Sequence, residues 1–144
     1  MTRFTIILSL VLTSFASYGQ NYLNTNGIAA GGYDVVAYFK QHEAIKGNSQ
    51  FTFSWQNVNW QFSNVANLEA FRKNPQQFAP QFGGYCAYGV SENHKSPTDP
   101  NAFTIIDSKL YLNYSPAVKE KWLKDTKGRI VKAEQNWPGL QSKD

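Results

Sequence analysis

The sequence predicts an α+β protein, a small single domain with two antiparallel β-hairpins and three or four helices. Two stretches alternate apolar and polar residues on both sides of a short polar break, which is the period-two pattern of paired strands. Other stretches show helical spacing behind residues that commonly begin helices. The chain has 144 residues, of which 42% are hydrophobic and 15% aromatic, and this is one domain's worth of sequence with enough apolar side chains to bury a core.

The irregular segments are predicted from their Gly, Asn and Pro content. Residues 20–32 form a loose lead-in, and the polar stretch 41–50 is predicted to be a surface loop. Between them, residues 35–39 of YDVVAYF are predicted to form a short buried strand or a strand-like segment. Residues 85–91, which follow a glycine pair, are compatible with a short helix, and a strand stays open as the alternative.

The clearest hairpin lies in FTFSWQNVNWQF, residues 51–62. Large apolar residues occupy alternate positions on each side of the polar pair Gln56 and Asn57, which predicts a hairpin with one aromatic face turned inward. Asn64 is a suitable cap for the helix predicted over residues 66–73.

A second hairpin is predicted within residues 103–114, where two apolar runs flank a short Asp-Ser-Lys turn. Ser115 and Pro116 then begin a helix, with serine as the cap and proline at the first position. We expect Gly128 to interrupt this helix and Pro138 to end its continuation. The sequence shows no internal repeat.

The amino terminus has the layout of a secretory signal peptide over residues 1–19. Arg3 is followed by an uncharged apolar run over residues 4–15, and small residues precede an expected cleavage after Gly19. The run is shorter than the ~20 apolar residues that a membrane-spanning helix needs. We therefore expect an exported mature chain of residues 20–144, periplasmic or secreted, without stable insertion into a membrane.

The charge pattern favours a solvated helix surface over a nucleic-acid interface. The formal charge is +4 at neutral pH, and loss of Arg3 with the signal peptide leaves +3. Four lysines between residues 119 and 127 are interleaved with Glu120 and Asp125, a pattern typical of mixed charge on the outer face of a helix. We expect no nucleic-acid partner, because no Arg-rich run or RNA-binding signature is present.

Cys86, in FGGYCAYGV, is the chain's single cysteine, so it forms no internal disulfide. Three interpretations stay open: a buried core residue, a ligand of a metal or cofactor, and a reactive thiol. A structural zinc site needs four ligands, usually rich in cysteine, whereas Cu(I) prefers soft thiolate ligands. His94 is the candidate second ligand. Alternatively, two chains could share one copper ion through both Cys86 thiolates, which would make a homodimer.

Four further residues are candidates for ligand binding. Asp34 is either a hydrogen-bond acceptor or ligand in a pocket with Cys86, or a turn or cap residue that satisfies backbone N–H groups. Tyr33, Tyr85 and Tyr88 flank the two glycine-rich segments and could wall a pocket. The sequence contains no nucleophile elbow, His-Glu zinc motif or phosphate loop, so no catalytic residue is assigned.

Four segments follow one another between residues 31 and 137: GGYDVVAYF, FTFSWQNVNWQFSNVANLEAFRKNPQQFAPQFGGYCAYGV, DPNAFTIIDSKLYLNYS and the terminal NW. Together they resemble exported YHS-domain proteins, so we expect a YHS-like domain over residues 20–144 with a core of about 31–137. YHS domains are similar to small cysteine-containing modules, including those called TRASH, that are suspected of binding heavy metals. The resemblance implies that Cys86 is the residue to consider as a metal ligand.

The sequence therefore predicts an exported, non-enzymatic binding module. Its first candidate ligand is a thiophilic metal ion, copper before zinc, held by Cys86. One alternative is a small-molecule or protein-binding module with an aromatic pocket and a structural Cys86. The other is a thiol-dependent redox protein.

Overall fold

The computed structural model describes residues 21–143 and confirms the α+β class. This part of the chain contains a four-stranded mixed sheet, a separate two-stranded sheet and six α-helices. The predicted signal peptide lies outside the described residues. None of the helices within residues 21–143 is both long enough and apolar enough to cross a membrane.

The elements follow in a regular order along the chain. The strands are β1 Asn24–Thr25, β2 Ile28–Ala29, β3 Asn48–Trp55, β4 Val58–Phe62, β5 Phe103–Ile106 and β6 Lys109–Leu112. The helices are α1 Val35–Lys40, α2 Val65–Lys73, α3 Pro75–Phe78, α4 Ala87–Ser91, α5 Pro116–Leu123 and α6 Thr126–Leu140. The larger sheet has the order β1-β2-β4-β3, in which β2 is parallel to β4 and the other pairs are antiparallel.

Both predicted hairpins are confirmed. In the first, Phe53 pairs with Trp60 across β3 and β4, and the turn at Gln56 and Asn57 takes positive φ angles of 54° and 62°. The alternating apolar residues of β4 are buried, as the period-two pattern predicts. The second hairpin joins β5 and β6 in an antiparallel pair.

The strand predicted over residues 35–39 is wrong, because this segment is the helix α1. Asp34 caps it: its Oδ1 atom accepts hydrogen bonds from the backbone N–H groups of Val36 at 2.9 Å and Ala37 at 3.1 Å. The β-branched residues favour a strand when they are taken alone. Here the cap and the complete burial of the first turn outweigh that preference.

Two helix caps are confirmed and two predicted interruptions are wrong. Asn64 accepts the N–H of Asn67 at 2.8 Å, and Ser115 accepts that of Val118 at 3.1 Å. The break between α5 and α6 lies at Asp125, not at Gly128. Pro138 does not end α6, which continues to Leu140.

Gly128 has a different role from the one expected. It lies in the first turn of α6, where its N–H donates to Oδ1 of the capping residue Asp125 at 3.1 Å. A β-carbon at Gly128 would overlap the Asp125 carboxylate. Glycine is therefore needed here to let the cap approach the backbone.

The apolar residues gather in two clusters. The first lies around the four-stranded sheet: Tyr22, Ala29, Val35, Val36, Tyr38, Val58, Trp60, Phe62, Phe71, Phe78, Ala79, Leu110 and Leu112. The second lies beneath the carboxyl-terminal helices: Phe82, Ala87, Val90, Tyr111, Trp122, Ala133 and Leu140. The strand β6 belongs to both, because Leu110 and Leu112 face the first cluster and Tyr111 faces the second.

The structure contains an internal repeat that the sequence analysis missed. Residues 30–73, the first half, and residues 82–123, the second half, each begin with a left-handed turn. In both turns the N–H of the following tyrosine donates to the first carbonyl of the turn at 3.0 Å. The φ angles agree closely: Ala30 51°, Gly31 61° and Gly32 78° in one, Phe82 54°, Gly83 63° and Gly84 80° in the other.

The two halves continue in the same way. Each turn leads to a tyrosine, then to a capping residue (Asp34 or Cys86), a short helix, a loop, a hairpin and a capped helix. The N–H of the capping residue donates to a loop carbonyl in both halves, at 2.8 Å in the first and 3.0 Å in the second. The last helix of each half buries one large aromatic residue, Phe71 or Trp122, seven positions after its cap (71 − 64 and 122 − 115).

Candidate functional site

Cys86 is buried, with 2% of its surface exposed, and it caps α4. Its Sγ atom accepts hydrogen bonds from the N–H groups of Gly89 at 3.4 Å and Tyr114 at 3.2 Å. The thiol itself donates to Oδ1 of Asn113 at 3.5 Å. The cysteine therefore ties α4 to the segment that connects β6 with α5.

Asn113 is the neighbour that sequence reasoning missed. It is fully buried, and its Oδ1 atom accepts both the thiol of Cys86 and the N–H of Tyr88, the latter at 3.0 Å. Its amide nitrogen Nδ2 is buried and has no hydrogen-bond partner among residues 21–143. Asn113 lies near the end of the predicted second hairpin and directly follows β6, but an isolated asparagine at a strand end usually indicates only a turn.

Asp34 occupies the equivalent position in the first half and is fully buried. Besides capping α1 through Oδ1, it accepts three hydrogen bonds at Oδ2. These come from the N–H of Ser63 at 2.8 Å, the hydroxyl of Ser63 at 2.6 Å and the amide of Asn67 at 2.8 Å. Five donors on one carboxylate leave little room for an external ligand, so Asp34 ties α1 to α2 and to Ser63, which directly follows β4.

Asp34 and Cys86 belong to separate hydrogen-bond groups. The partners of Asp34 all lie in the first half, and those of Cys86 all lie in the second. The structure therefore does not bring them into one pocket. Asp34 and Cys86 occupy equivalent capping positions, one in each half.

The side chain of His94 is exposed, and its Nδ1 atom lies 3.2 Å from the hydroxyl of Ser96. Within residues 21–143, no group of three or more His, Cys, Asp and Glu side chains gathers closely enough to hold a metal ion. Cys86 is buried and its sulfur takes part in three hydrogen bonds, so among residues 21–143 a metal ion at this sulfur would have to replace existing hydrogen bonds.

Tyr85 and Tyr88 pack against the carboxyl-terminal region. The ring of Tyr85 lies 6.1 Å from that of Trp137, with the ammonium group of Lys95 5.1 Å from its centroid. The guanidinium of Arg129 lies over the ring of Tyr88, 4.2 Å from the ring centroid, and it donates a hydrogen bond to the Tyr88 hydroxyl at 3.3 Å. Both rings are therefore engaged in holding α6 against α4 and the second turn.

Arg129 also pairs with Glu92 at the end of α4. The hydrogen bond from the guanidinium lowers the pKa of the Glu92 carboxyl below its ordinary value of 4.5, since the charged form is favoured. In the first half the helix that follows α2 is the four-residue α3, which packs on α1 through Phe78 against Phe39. Within the described residues no ion pair joins these two helices.

Tyr33 lies beside a cleft of about 140 Å³ where the two halves meet. The lead-in strand and the first turn form one wall, and the loop before β5 forms the other. The lining residues are Leu23, Asn24, Thr25, Ala30, Gly31, Tyr33, Tyr38, Pro97, Thr98, Pro100 and Leu112. None of these carries a formal charge at neutral pH.

The hydroxyl groups of two cleft residues are engaged within the protein. The Tyr38 hydroxyl donates to the carbonyl of Pro100 at 2.8 Å, and the Thr98 hydroxyl donates to that of Gly84 at 3.1 Å. Burial, with a smaller contribution from nearby negative charge, raises the pKa of Tyr38, so its phenol stays neutral. The cleft therefore presents a mainly apolar surface to a ligand.

No family model, no curated protein and no solved structure matches this chain. Its function therefore has to be inferred from its own residues and their geometry.

Proposed function

We propose that this protein is an exported, non-enzymatic binding module of the YHS type that takes a small uncharged aromatic group into the cleft between its two halves. The observation that carries the proposal is the cleft itself. Its walls come from both halves and from the lead-in strand, and they include Tyr33, Tyr38 and two prolines. Pockets that combine apolar and aromatic walls with few polar groups are the usual sites for small molecules.

The size of the cleft limits the ligand to about one ring. A volume of about 140 Å³ is well below the roughly 300–1,000 Å³ of sites that enclose drug-sized molecules. An apolar cavity of roughly 150 Å³ is enough for a benzene ring. A ring that enters the cleft would lie beside Tyr33, whose own ring carries the ammonium group of Lys46 at 4.8 Å from its centroid. An aromatic pair formed there would gain about 0.5–1.5 kcal/mol beyond burial alone.

The chemistry of the walls favours binding over catalysis. The titratable groups among the lining residues are phenols, and that of Tyr38 is held neutral and engaged with the Pro100 carbonyl. A general acid or base needs a pKa near the working pH, which a phenol shifted upward does not have. In this proposal Cys86 is structural, as its burial and hydrogen bonds support.

Metal binding through Cys86 remains a separate prediction that rests on the family resemblance. Soft thiolate chemistry supports it. A second ligand within hydrogen-bonding range of the sulfur would have to be a carboxamide or backbone group, since those are its neighbours. Titration of the mature chain with Cu(I) and Zn(II) under competing chelators, beside Cys86→Ala, tests this prediction directly.

The cleft proposal can be tested by ligand-observed NMR on the mature chain, residues 20–144. Suitable probes are phenol, indole and benzyl alcohol, with benzoate as the charged counterpart of benzyl alcohol. We expect the neutral probes to bind and benzoate to bind at least tenfold more weakly. Benzoate would lose its hydration in the cleft, and none of the lining residues carries a positive charge to compensate for that loss. Tyr33→Ala should abolish binding of the neutral probes.

Tyr114→Ala is the matched control, because Tyr114 is 56% exposed and does not line the cleft. Binding should be unchanged in Tyr114→Ala and in Cys86→Ala, and circular dichroism should show that all variants are folded. If no neutral probe binds, or if binding is the same in Tyr33→Ala, the cleft is not a ligand site.

A further inference from the structure

We propose that Cys86 is an oxidation site, and that its cysteine sulfinate form is held in the second half as the Asp34 carboxylate is held in the first. A sulfinate has two oxygen atoms and one negative charge on a short side chain, as an aspartate does. The proposal is independent of the cleft, because it rests on the hydrogen-bond groups around the two capping residues.

The backbone donors around Cys86 match those around Asp34. Sγ receives N–H groups from the third residue of α4 and from Tyr114, which precedes the cap of α5. The Asp34 carboxylate receives N–H groups from the third residue of α1 and from Ser63, which precedes the cap of α2. A neutral thiol is a weak acceptor for such donors, whereas an anion accepts charge-assisted hydrogen bonds that are about twice as strong as neutral ones.

The side chain of Asn113 is the second observation that points to an added acceptor. Its carboxamide lies against the thiol, with Oδ1 3.5 Å from Sγ, and its Nδ2 is buried without a hydrogen-bond partner among residues 21–143. In the first half, the carboxamide of Asn67 donates to Asp34 at 2.8 Å. Oxygen atoms added to Sγ would lie next to this carboxamide, and the buried Nδ2 gains free energy if one of them accepts its hydrogen bond.

The chemistry requires a peroxide as oxidant. The sulfur of Cys86, as thiolate, attacks one oxygen of hydrogen peroxide, the O–O bond breaks, and water leaves once the second oxygen is protonated, giving a sulfenic acid. A second peroxide oxidises the sulfenic acid to a sulfinic acid, which loses its proton. Two peroxides are consumed, two waters form and the sulfur loses four electrons. The chain has no second cysteine to divert the sulfenic acid into an internal disulfide.

In this proposal peroxide reaches the buried sulfur by local opening of the loop over residues 94–99, which has no regular secondary structure. This loop contacts the capping residue, since the carbonyl of Ser96 accepts the N–H of Cys86 at 3.0 Å. Irregular loops open locally at a lower free energy than the core elements.

The test treats the folded mature chain with hydrogen peroxide and measures intact mass, peptide masses and the thermal midpoint. We expect two oxygen atoms to be added to the peptide that contains Cys86, and a thermal midpoint raised by roughly 3–6 °C in the oxidised protein. Cys86→Ser should show no addition at this peptide. Residues 20–144 contain no methionine, so methionine sulfoxide does not contribute to the number of oxygen atoms added.

A thiol that reacts in urea but not in the folded protein would overturn the proposal, and so would an oxidised protein that melts below the reduced one. Cys86→Asp and Cys86→Asn provide a second test that needs no oxidant. Both side chains have the same size, but only aspartate is an anion. We expect Cys86→Asp to melt at a higher temperature than Cys86→Asn, and the reverse order would show that the second half does not accept an anion here.

Discussion

In the first half of the molecule a buried carboxylate accepts five hydrogen bonds, whereas in the second half a buried thiol at the equivalent position takes part in three. The left-handed turn, short helix, hairpin and capped helix around them are otherwise the same. The second half is additionally held by α6, whose Arg129 stacks on Tyr88.

This difference shows that the backbone arrangement does not depend on one capping chemistry. A charged acceptor with all its lone pairs engaged stabilises the first half from within. A weaker acceptor is sufficient in the second half, where the 15-residue α6 packs on α4 more extensively than the four-residue α3 packs on α1. The first half should therefore be more sensitive to loss of its capping side chain.

The largest expected effect comes from removing the two capping side chains. Asp34→Ala leaves several buried donors without an acceptor, and we expect it to lower the free energy of unfolding by about 3–5 kcal/mol. Cys86→Ala removes weaker hydrogen bonds and a small apolar volume, and we expect a loss of about 1–2 kcal/mol. Urea denaturation of both variants and the parent chain measures the difference.

Asp34→Asn refines this experiment, because it keeps the size of the side chain and replaces one acceptor oxygen with a donor. Its cost should lie close to that of Asp34→Ala, since an amide would face the N–H groups of either α1 or Ser63. Equal losses for Asp34→Ala and Cys86→Ala would mean that the two capping positions contribute alike.

An intermediate effect is expected at the turn glycines, which form a matched pair. Gly31 and Gly83 have φ angles of 61° and 63°, so alanine at either position carries the left-handed cost of about 1–2 kcal/mol. A β-carbon at Gly31 would make only an ordinary contact with Tyr33 at 3.8 Å. At Gly83 it would overlap the carbonyl oxygen of Asn21, which adds about 1–3 kcal/mol.

Chemical denaturation of Gly31→Ala and Gly83→Ala therefore separates backbone strain from crowding. Gly83→Ala should be the less stable variant. The opposite order would indicate that the lead-in segment around Asn21 moves aside at little cost.

The smallest expected effect concerns the ion pair between Arg129 and Glu92 in the second half. Because its hydrogen bond to Arg129 lowers the pKa of Glu92 below 4.5, the pair stabilises the fold above that pH. The stabilisation is lost as the pH falls through the lowered pKa. Glu92→Gln should thus melt slightly below the parent chain at about pH 7, and the difference should shrink as the pH falls below 4.5.

The effect of this ion pair is measured by thermal midpoints over this pH range. The control is Glu120→Gln, on the exposed face of α5. A difference that grows toward acid pH would contradict the assigned direction of the pKa shift.

The elements that the sequence predicts correctly are those with local signals. The alternation of large apolar residues defines both hairpins, and the caps Asn64 and Ser115 need only their own side chains and the next turn. The helix α1 was missed because its cap acts together with Ser63 and Asn67, which lie about thirty residues away along the chain. Local preference for a strand is outweighed there by tertiary contacts.

The repeat and the cleft depend on information that no single segment contains. Beyond the GGY sequence of their turns the two halves share few identical residues, such as Phe51 and Thr52 with Phe103 and Thr104, and their capping residues are chemically different. Comparison of residue types therefore gives only a weak signal of the repeat. The cleft is assembled from the lead-in, the first turn and the loop around Thr98, which meet only when both halves pack together. Tyr33 is a candidate from the sequence because it lies beside a glycine pair, whereas the local pattern places Tyr38 in a strand.

The sequence separations within the two hydrogen-bond groups have a consequence for the order of folding. The bond from Ser63 to Asp34 closes a loop of 29 residues, and the bond from Tyr114 to Cys86 closes one of 28. Chains of such similar length lose nearly the same entropy on closure. The stronger hydrogen bonds should therefore decide the sequence of events, with the half around Asp34 consolidating first and serving as the template against which the second half docks.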